Sequence, residues 1–339
     1  MRYIGSKRLI LPFIKKTIEE TYGDFSNAVI GDFFSGTACV GEMFKHEGAT
    51  VISNDYLCFS YALQIEKIKL NNVPYCNFSY EDLLDELNSL NGIEGFFYKE
   101  YTPEGTKGKQ YTRNYFSAEN AKKIDEIRLK IGEWKEKKYI SDDMFFLLIA
   151  NLIDAVTRVS NTSGTYGAFL KIDDPRKNRG LFLEKSSFID NKKNNKCYCS
   201  DICDIITQEQ GDILYLDPPY NSRQYPPYYH ILETITLYDN PSIYGKTGRR
   251  PYEEQLSDFC MVEKAENALF DVVQKAKFDN IYISYSTDGI VEYQKLINRL
   301  NSIGTVNNYF MQYKRYKSNS GNNLQNCDEL KEIIIHVKK

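Results

Sequence analysis

The run Ala28-Val29-Ile30-Gly31-Asp32-Phe33-Phe34-Ser35-Gly36-Thr37-Ala38 decides how this chain folds. Its first half is apolar but for Asp32, as a strand buried on both faces is. It ends in a small-residue turn, and Cys39 to His46 then reads as a helix. A second strand, Ala49-Thr50-Val51-Ile52-Ser53-Asn54, follows with Asp55 just past its end. Another helix spans Leu57 to about Leu70, and an amphipathic helix, Leu9 to Glu20, comes before the first strand. Strand, helix, strand, helix is the signature of a parallel sheet covered by helices.

Outward from this unit the pattern first breaks and then returns. From about 90 to 135 the chain is rich in Tyr, Lys, Gly and Asn, and a charged helix is expected from Ser117 to about Lys138. Met144 to Val156 is apolar on nearly all sides, as a buried helix is. The segments 161–167 and 171–196 read as loops, the second of them basic. The α/β pattern resumes at Cys197-Tyr198-Cys199-Ser200 and continues in Asp212-Ile213-Leu214-Tyr215-Leu216, Ile281 to Tyr285 and a helix from Gly289 to Leu300. Lys331 to Val337 is expected as an edge strand or hairpin partner. The simplest organisation is one α/β domain made of 1–90 and 196–339, interrupted by an insertion over 91–195.

Composition narrows the class. A chain of 339 residues with 42% hydrophobic and 26% charged content is globular. It has no apolar stretch near the ~20 residues that span a bilayer and no signal-peptide core at its start, so a cytoplasmic, membrane-free protein is expected. Eight cysteines and three histidines form no zinc-type spacing, and no metal site is expected. The net charge of −3 means that any polyanion must be met by a local patch.

Two turns carry chemistry. The loop Phe33 to Ala38 lets a ligand approach backbone amides at a helix N-terminus, and Asp55 follows Gly36 by about 20 residues, where nucleotide-binding sheets hold ribose. The loop is neither G-x-G-x-x-G nor a P-loop. A ribose-bearing ligand without phosphates suits it, S-adenosylmethionine among others, although an ordinary βα turn with a surface acid reads the same way. The second turn is Asp217-Pro218-Pro219-Tyr220, directly after a strand. It cannot continue a ladder. It gathers a carboxylate, the free carbonyl of Pro218 and an aromatic ring, which together suit a planar amine. Alone it is equally a plain turn.

In order, Tyr3-Ile4-Gly5-Ser6-Lys7, the Phe33 to Ala38 loop with Asp55, and Asp217 to Tyr220 resemble the motifs of the Dam-like, alpha-group N6-adenine DNA methyltransferases. Asn161 to Lys171 resembles the insert of the FokI-type branch. The resemblance implies a Rossmann-like, S-adenosylmethionine-dependent α/β sheet with an inserted target-recognition domain. It implies methyl transfer to N6 of a flipped adenine in double-stranded DNA, in a restriction-modification system whose cognate endonuclease would act separately. It assigns Tyr3 and Lys7 to the methionine end of the cofactor, Phe34 and Gly36 to its pocket and Asp55 to its ribose. Asp201 and Ile202 fall near its adenine ring, and Asp217 and Tyr220, with the Pro218 carbonyl, take the catalytic roles. Ala38 departs from the pattern, since many relatives have glycine there. Arg113, Lys171, Arg176, Lys177, Arg179, Arg223 and Gln224 are candidates for DNA contact, with Lys314-Arg315-Tyr316-Lys317 as a second basic cluster. An Asn in place of Asp217 would point to glutamine side chains and a Ser to cytosine amines. RNA adenine methylation and a catalytically inactive DNA-binding module are the remaining rivals.

Overall fold

A computed structural model of the chain describes residues 5–312 and 331–339. Tyr3 and the Lys314 to Lys317 cluster lie outside the described residues. Seven strands, β1 (Val29–Phe33), β2 (Thr50–Asp55), β3 (Lys196–Cys199), β4 (Gln210–Leu216), β5 (Lys277–Ser286), β6 (Thr305–Gln312) and β7 (Lys331–Lys338), form one sheet in the order β3-β2-β1-β4-β5-β7-β6. The first five are parallel. The last strand, β7, runs antiparallel between β5 and β6. It is therefore the hairpin partner of β6 and not an edge. Strand order reverses between β1 and β4, and such a switch point opens a crevice at the carboxyl ends of the strands.

The sheet is buried on both faces, and the alternation of β4 shows how. Ile213 and Tyr215 join the core under α1 (Leu11–Thr21) and α2 (Cys39–His46). Leu214 and Leu216 join the opposite core. The helices of that side are α8 (Ile202–Ile205), α10 (Ala265–Lys275) and α11 (Tyr293–Leu300). Successive strand residues point to opposite faces, so an unbroken apolar run fills both.

A third core is helical. It joins α3 (Cys58–Gln64), α4 (Tyr80–Ser89), α5 (Phe96–Tyr101), α6 (Ala118–Glu136), α7 (Asp142–Val159) and α9 (Pro226–Leu237). Serine hydroxyls start three of them: Ser79, Ser117 and Ser141 accept the third-residue amides of α4, α6 and α7. Residues 91–159 thus pack into the same core as α3 and α9, and α9 leaves directly from the turn after β4. Among the described residues, no helix is long and apolar enough to cross a membrane.

Candidate active site

The loop after β1 is held in an unusual backbone shape. Phe34, Gly36 and Ala38 all have positive φ, at 72°, 53° and 60°. Only glycine takes this region without cost. Ala38 adopts the left-handed conformation a glycine would favour. The amides of Phe34 and Ser35 both donate to the Asn54 carbonyl at 3.1 Å, and Ala38 donates to Ser35 O at 2.7 Å. Below the loop, Asp32 is buried and its Oδ2 accepts the Gly41 amide at 2.8 Å. A Cβ on Gly41 would lie 2.5 Å from Ile68 Cδ1 and 2.8 Å from that carboxylate, so only glycine permits this approach. Burial, with Asp217 and Asp55 nearby, pushes Asp32 up to about 7.

Asp55 faces the loop from the tip of β2. Its Oδ2 accepts the Gly36 amide at 2.8 Å and its Oδ1 the Leu57 amide at 2.9 Å. Burial raises its pKa and these amides pull it back. Each carboxylate oxygen keeps a further lone pair for a ligand hydroxyl.

Asp217 follows β4 directly, across the switch point. Lys7, buried in a short 3-10 turn, places its Nζ 3.0 Å from Asp217 Oδ1 and 5.2 Å from the Tyr220 ring centroid. Glu332 Oε2 on β7 lies 4.0 Å from the same ammonium. Burial raises Asp217 to about 6, against the opposing pull of Lys7. The carboxylates outweigh burial at Lys7, whose pKa is raised. The Tyr220 ring stands edge-on to Tyr285 with centroids 6.2 Å apart. An ammonium that donates to Asp217 beside Tyr220 occupies the ground a substrate amine would need.

Three adjoining cavities meet at Phe34. One of about 420 Å³ is walled by Asp201, Ile202, Phe34, Tyr56 and Phe259. A second carries both Asp55 and Asp217, with Gly5, Tyr225, Pro226 and Ser257. The third carries Lys7, Ser35, Gly36 and Asp217. Together they form a groove along the carboxyl edge of the sheet, from Asp201 past Asp55 to Asp217. A larger cavity of about 940 Å³ lies away from it, between α6, α7 and the end of α9. Its lining has no part in the turn chemistry.

Sequence reasoning missed Glu332, Tyr225, Ser257 and Phe259. Glu332 had a signal, as the acid that precedes Ile333-Ile334-Ile335. The others had none, because packing alone brings them in: the Phe259 ring meets Phe34 edge-on at 4.9 Å.

The residues expected to meet DNA divide. Arg113 is buried, and its guanidinium donates to the carbonyls of Glu100, Gly245 and Lys246 and pairs with Glu100 Oε2 at 3.3 Å. Three of these bonds hold backbone and one a carboxylate, so in this structure Arg113 braces the protein itself. Arg176 is paired with Asp174 through Nε and Nη2 at 2.9 and 2.8 Å. Lys177 is buried against Asn114 and Asp173. The Gln224 amide is spent on Ser257, donating to its carbonyl at 3.0 Å and accepting its N–H at 2.8 Å. That exchange pins the segment walling the groove. Lys171, Arg179 and Arg223 are exposed.

A parallel sheet with a crevice at its switch point, a ribose-type acid at the second strand and an Asp-Pro-Pro-Tyr turn at the fourth define a Rossmann-like methyltransferase. The chain matches the D12 class N6 adenine-specific DNA methyltransferase family over residues 3–294, and it belongs to that family. It is 42% identical to the type II methyltransferase M.FokI of Planomicrobium okeanokoites, covering 100% of this chain and 53% of that protein. To the modification methylase StsI of Streptococcus sanguinis it is 34% identical, over 100% of this chain and 52% of the relative. The chain thus spans about half the length of these two. The type II methyltransferase M.NlaIII of Neisseria lactamica is 35% identical and matches at nearly full length, 95% of this chain and 94% of the relative.

Proposed function

We propose that this chain is a site-specific DNA methyltransferase of the alpha group that methylates N6 of adenine in duplex DNA, as the modification partner of a separately acting endonuclease. One observation carries the reading: Asp55 and Asp217, 162 positions apart by their numbers, wall a single cavity. A ribose-bearing donor and a planar amine can therefore share one groove.

The groove suits S-adenosylmethionine by its chemistry. Asp55 offers acceptors to ribose hydroxyls, the cavity beside Asp201 and Ile202 takes an adenine ring against the Phe34–Phe259 pair, and the lysines of that cavity, Lys264 and Lys275, are each paired with an aspartate. Lys7 lines the part of the groove assigned to the methionine end. Bound there, the cofactor supplies a methyl group on a sulfonium centre, electrophilic enough for a neutral amine.

The chain's own residues do the rest. Asp217 and the Pro218 carbonyl accept the two hydrogens of the adenine amine, which aims the nitrogen lone pair. As positive charge grows on nitrogen, the fixed carboxylate stabilises it. With a pKa raised to about 6, Asp217 is a better proton acceptor than an ordinary aspartate at neutral pH. The base must leave the duplex stack, at a cost of a few kcal/mol. Stacking on Tyr220 returns roughly 1–3 kcal/mol of this. Lys7 yields its place beside Asp217 when the amine arrives, so no charge is left unpaired in the unliganded site. Residues 91–195 form the target-recognition region, and their shared core with α9 ties recognition to the catalytic turn.

The test is incubation of the protein with S-adenosylmethionine and mixed-sequence DNA, followed by mapping of N6-methyladenine. Methylation at one recurring sequence is expected. Asp217→Ala should abolish it and leave cofactor binding measurable. Full activity in that variant would overturn the mechanism.

A further inference from the structure

The sequence Tyr244-Gly245-Lys246-Thr247-Gly248-Arg249 follows α9 and folds into a tight hairpin. Tyr244 and Arg249 exchange backbone hydrogen bonds at 2.9 and 3.0 Å. Gly245 and Gly248 have φ of 69° and 67°. Every carbonyl of its tip is held from beneath. Arg113 takes those of Gly245 and Lys246 at 3.1 and 3.3 Å, Tyr115 that of Thr247 at 3.2 Å and Tyr101 that of Gly248 at 2.8 Å. A Cβ on Gly248 would come within 2.8 Å of Arg113 Nε.

This anchoring has an electrostatic result. A turn that directs its carbonyl oxygens inward presents no negative dipole ends to an approaching anion. Lys246 is exposed. Arg249 lies over the Tyr244 ring at 5.4 Å, with its Nε buried and lacking a hydrogen-bond partner. Neither has an ion pair among the described residues, whereas neighbouring Arg113, Arg250, Arg176 and Lys177 each pair with a carboxylate. In a chain with more acids than bases, 46 to 43, cations left unpaired together are a local patch of the kind a polyanion needs.

The hairpin also lies beside the loop that bears Lys171 and Arg179. The Tyr115 hydroxyl contacts both Thr247 O and, at 2.7 Å, Tyr166 O. Tyr166 N–H donates to Tyr228 O at 2.8 Å, in the first turn of α9, and Tyr225 and Pro226 just before it wall the groove.

We propose that Lys246 and Arg249 grip the phosphate backbone of the duplex, so that the DNA-binding face runs from the 161–179 loop onto this hairpin. The proposal rests on the function given above. Phosphate contacts of this kind position the duplex and carry no sequence information.

The experiment measures binding of the full chain to a labelled mixed-sequence duplex at a series of salt concentrations between about 50 and 200 mM. Wild type, Lys246→Ala, Arg249→Ala and the double variant are compared, with S-adenosylmethionine affinity measured in parallel. Each single substitution should weaken binding several-fold whatever the sequence and lower the slope of log K against log salt by about 1, the double by about 2. Cofactor affinity should not change. Lys246 is exposed, so its variant remains informative if Arg249→Ala folds poorly. Slopes equal to wild type in Lys246→Ala and in a folded Arg249→Ala would overturn the hairpin's role and leave the methyltransferase reading intact. A wild type that binds cofactor but no duplex would overturn both.

Discussion

Replacing Lys7 by methionine isolates the group that sets the charge on Asp217. In the wild type the carboxyl is held at about 6, with burial pushing up and Lys7 pulling down. The ammonium stands 3.0 Å from Oδ1. At an effective dielectric near 20 such a pair is worth at most about 5.5 kcal/mol, and opposite charges this close depress a carboxyl by roughly 1–3 pKa units. Methionine keeps the stem's bulk and removes the charge, while Glu332 remains nearby and pushes the same way as burial. A shift of two units moves Asp217 to about 8. At pH 7.5 the ionised fraction then falls from about 97% to about 24%, a fourfold loss, and at pH 6.5 from about 76% to about 3%, roughly twenty-five-fold. The assay is kcat/KM for DNA at saturating cofactor, taken from pH 6 to 9, because this quantity reports the enzyme before DNA binds. The acid limb should move upward and activity should recover at high pH. A uniform loss with the limb still near 6 would show that Lys7 does not set this ionisation, and the electrostatic reasoning would fail.

Three further outcomes follow from the same geometry. Tyr220→Phe should keep most activity and Tyr220→Ala should lose about tenfold or more, since the ring supplies the stacking; equal losses would indicate a role for the hydroxyl. Asp32 binds its proton more tightly in the folded chain, at about 7 against an ordinary value of 3.8, so its ionisation costs stability progressively as pH rises between those values. Asp32→Asn, which retains an acceptor for Gly41, should therefore be more stable than wild type at pH 8 by about 1–4 kcal/mol, with the gap closing toward pH 4; a pH-independent gap in urea unfolding would refute this. Ala38→Gly removes left-handed strain of about 1–2 kcal/mol but gives up a buried methyl near 0.8 kcal/mol and adds unfolded-state freedom of about 0.4–1 kcal/mol. It should be close to neutral by urea midpoint, and Ala38→Val should cost well over 2 kcal/mol. A large cost for glycine would mean that methyl packing outweighs the strain.

Much of the fold was legible because its strands are buried on both faces. A run such as Val29 to Phe33, apolar but for Asp32 and closed by a small-residue turn, has few other structures open to it. Helices with clear caps and periodicity could be placed to within a few residues, as Ala118–Glu136 behind the Ser117 cap shows. β6, α9 and α10 were not anticipated. The pattern of β6, Thr-Val-Asn-Asn-Tyr-Phe-Met-Gln, mixes polar and apolar residues, and it becomes a strand by pairing with β7. The acids at strand ends, Asp55 and Asp217, were likewise visible in the chain, since their positions follow from the order of strands and turns.

What the linear order determined by itself is the chemistry: a small-residue loop after one strand, an acid after the next and Asp-Pro-Pro-Tyr after a later one. These depend on residue type and local spacing, which sequence carries in full. Only the tertiary structure decided which charges are spent. The structure gives Arg113, Arg176, Lys177 and Gln224 protein partners that the sequence did not announce, some distant in the chain and some a local carboxylate. Lys246 and Arg249 became conspicuous only because Tyr101, Arg113 and Tyr115 hold their hairpin carbonyls inward. A side chain's availability depends on every group within a few ångströms of it, and that neighbourhood is set by packing.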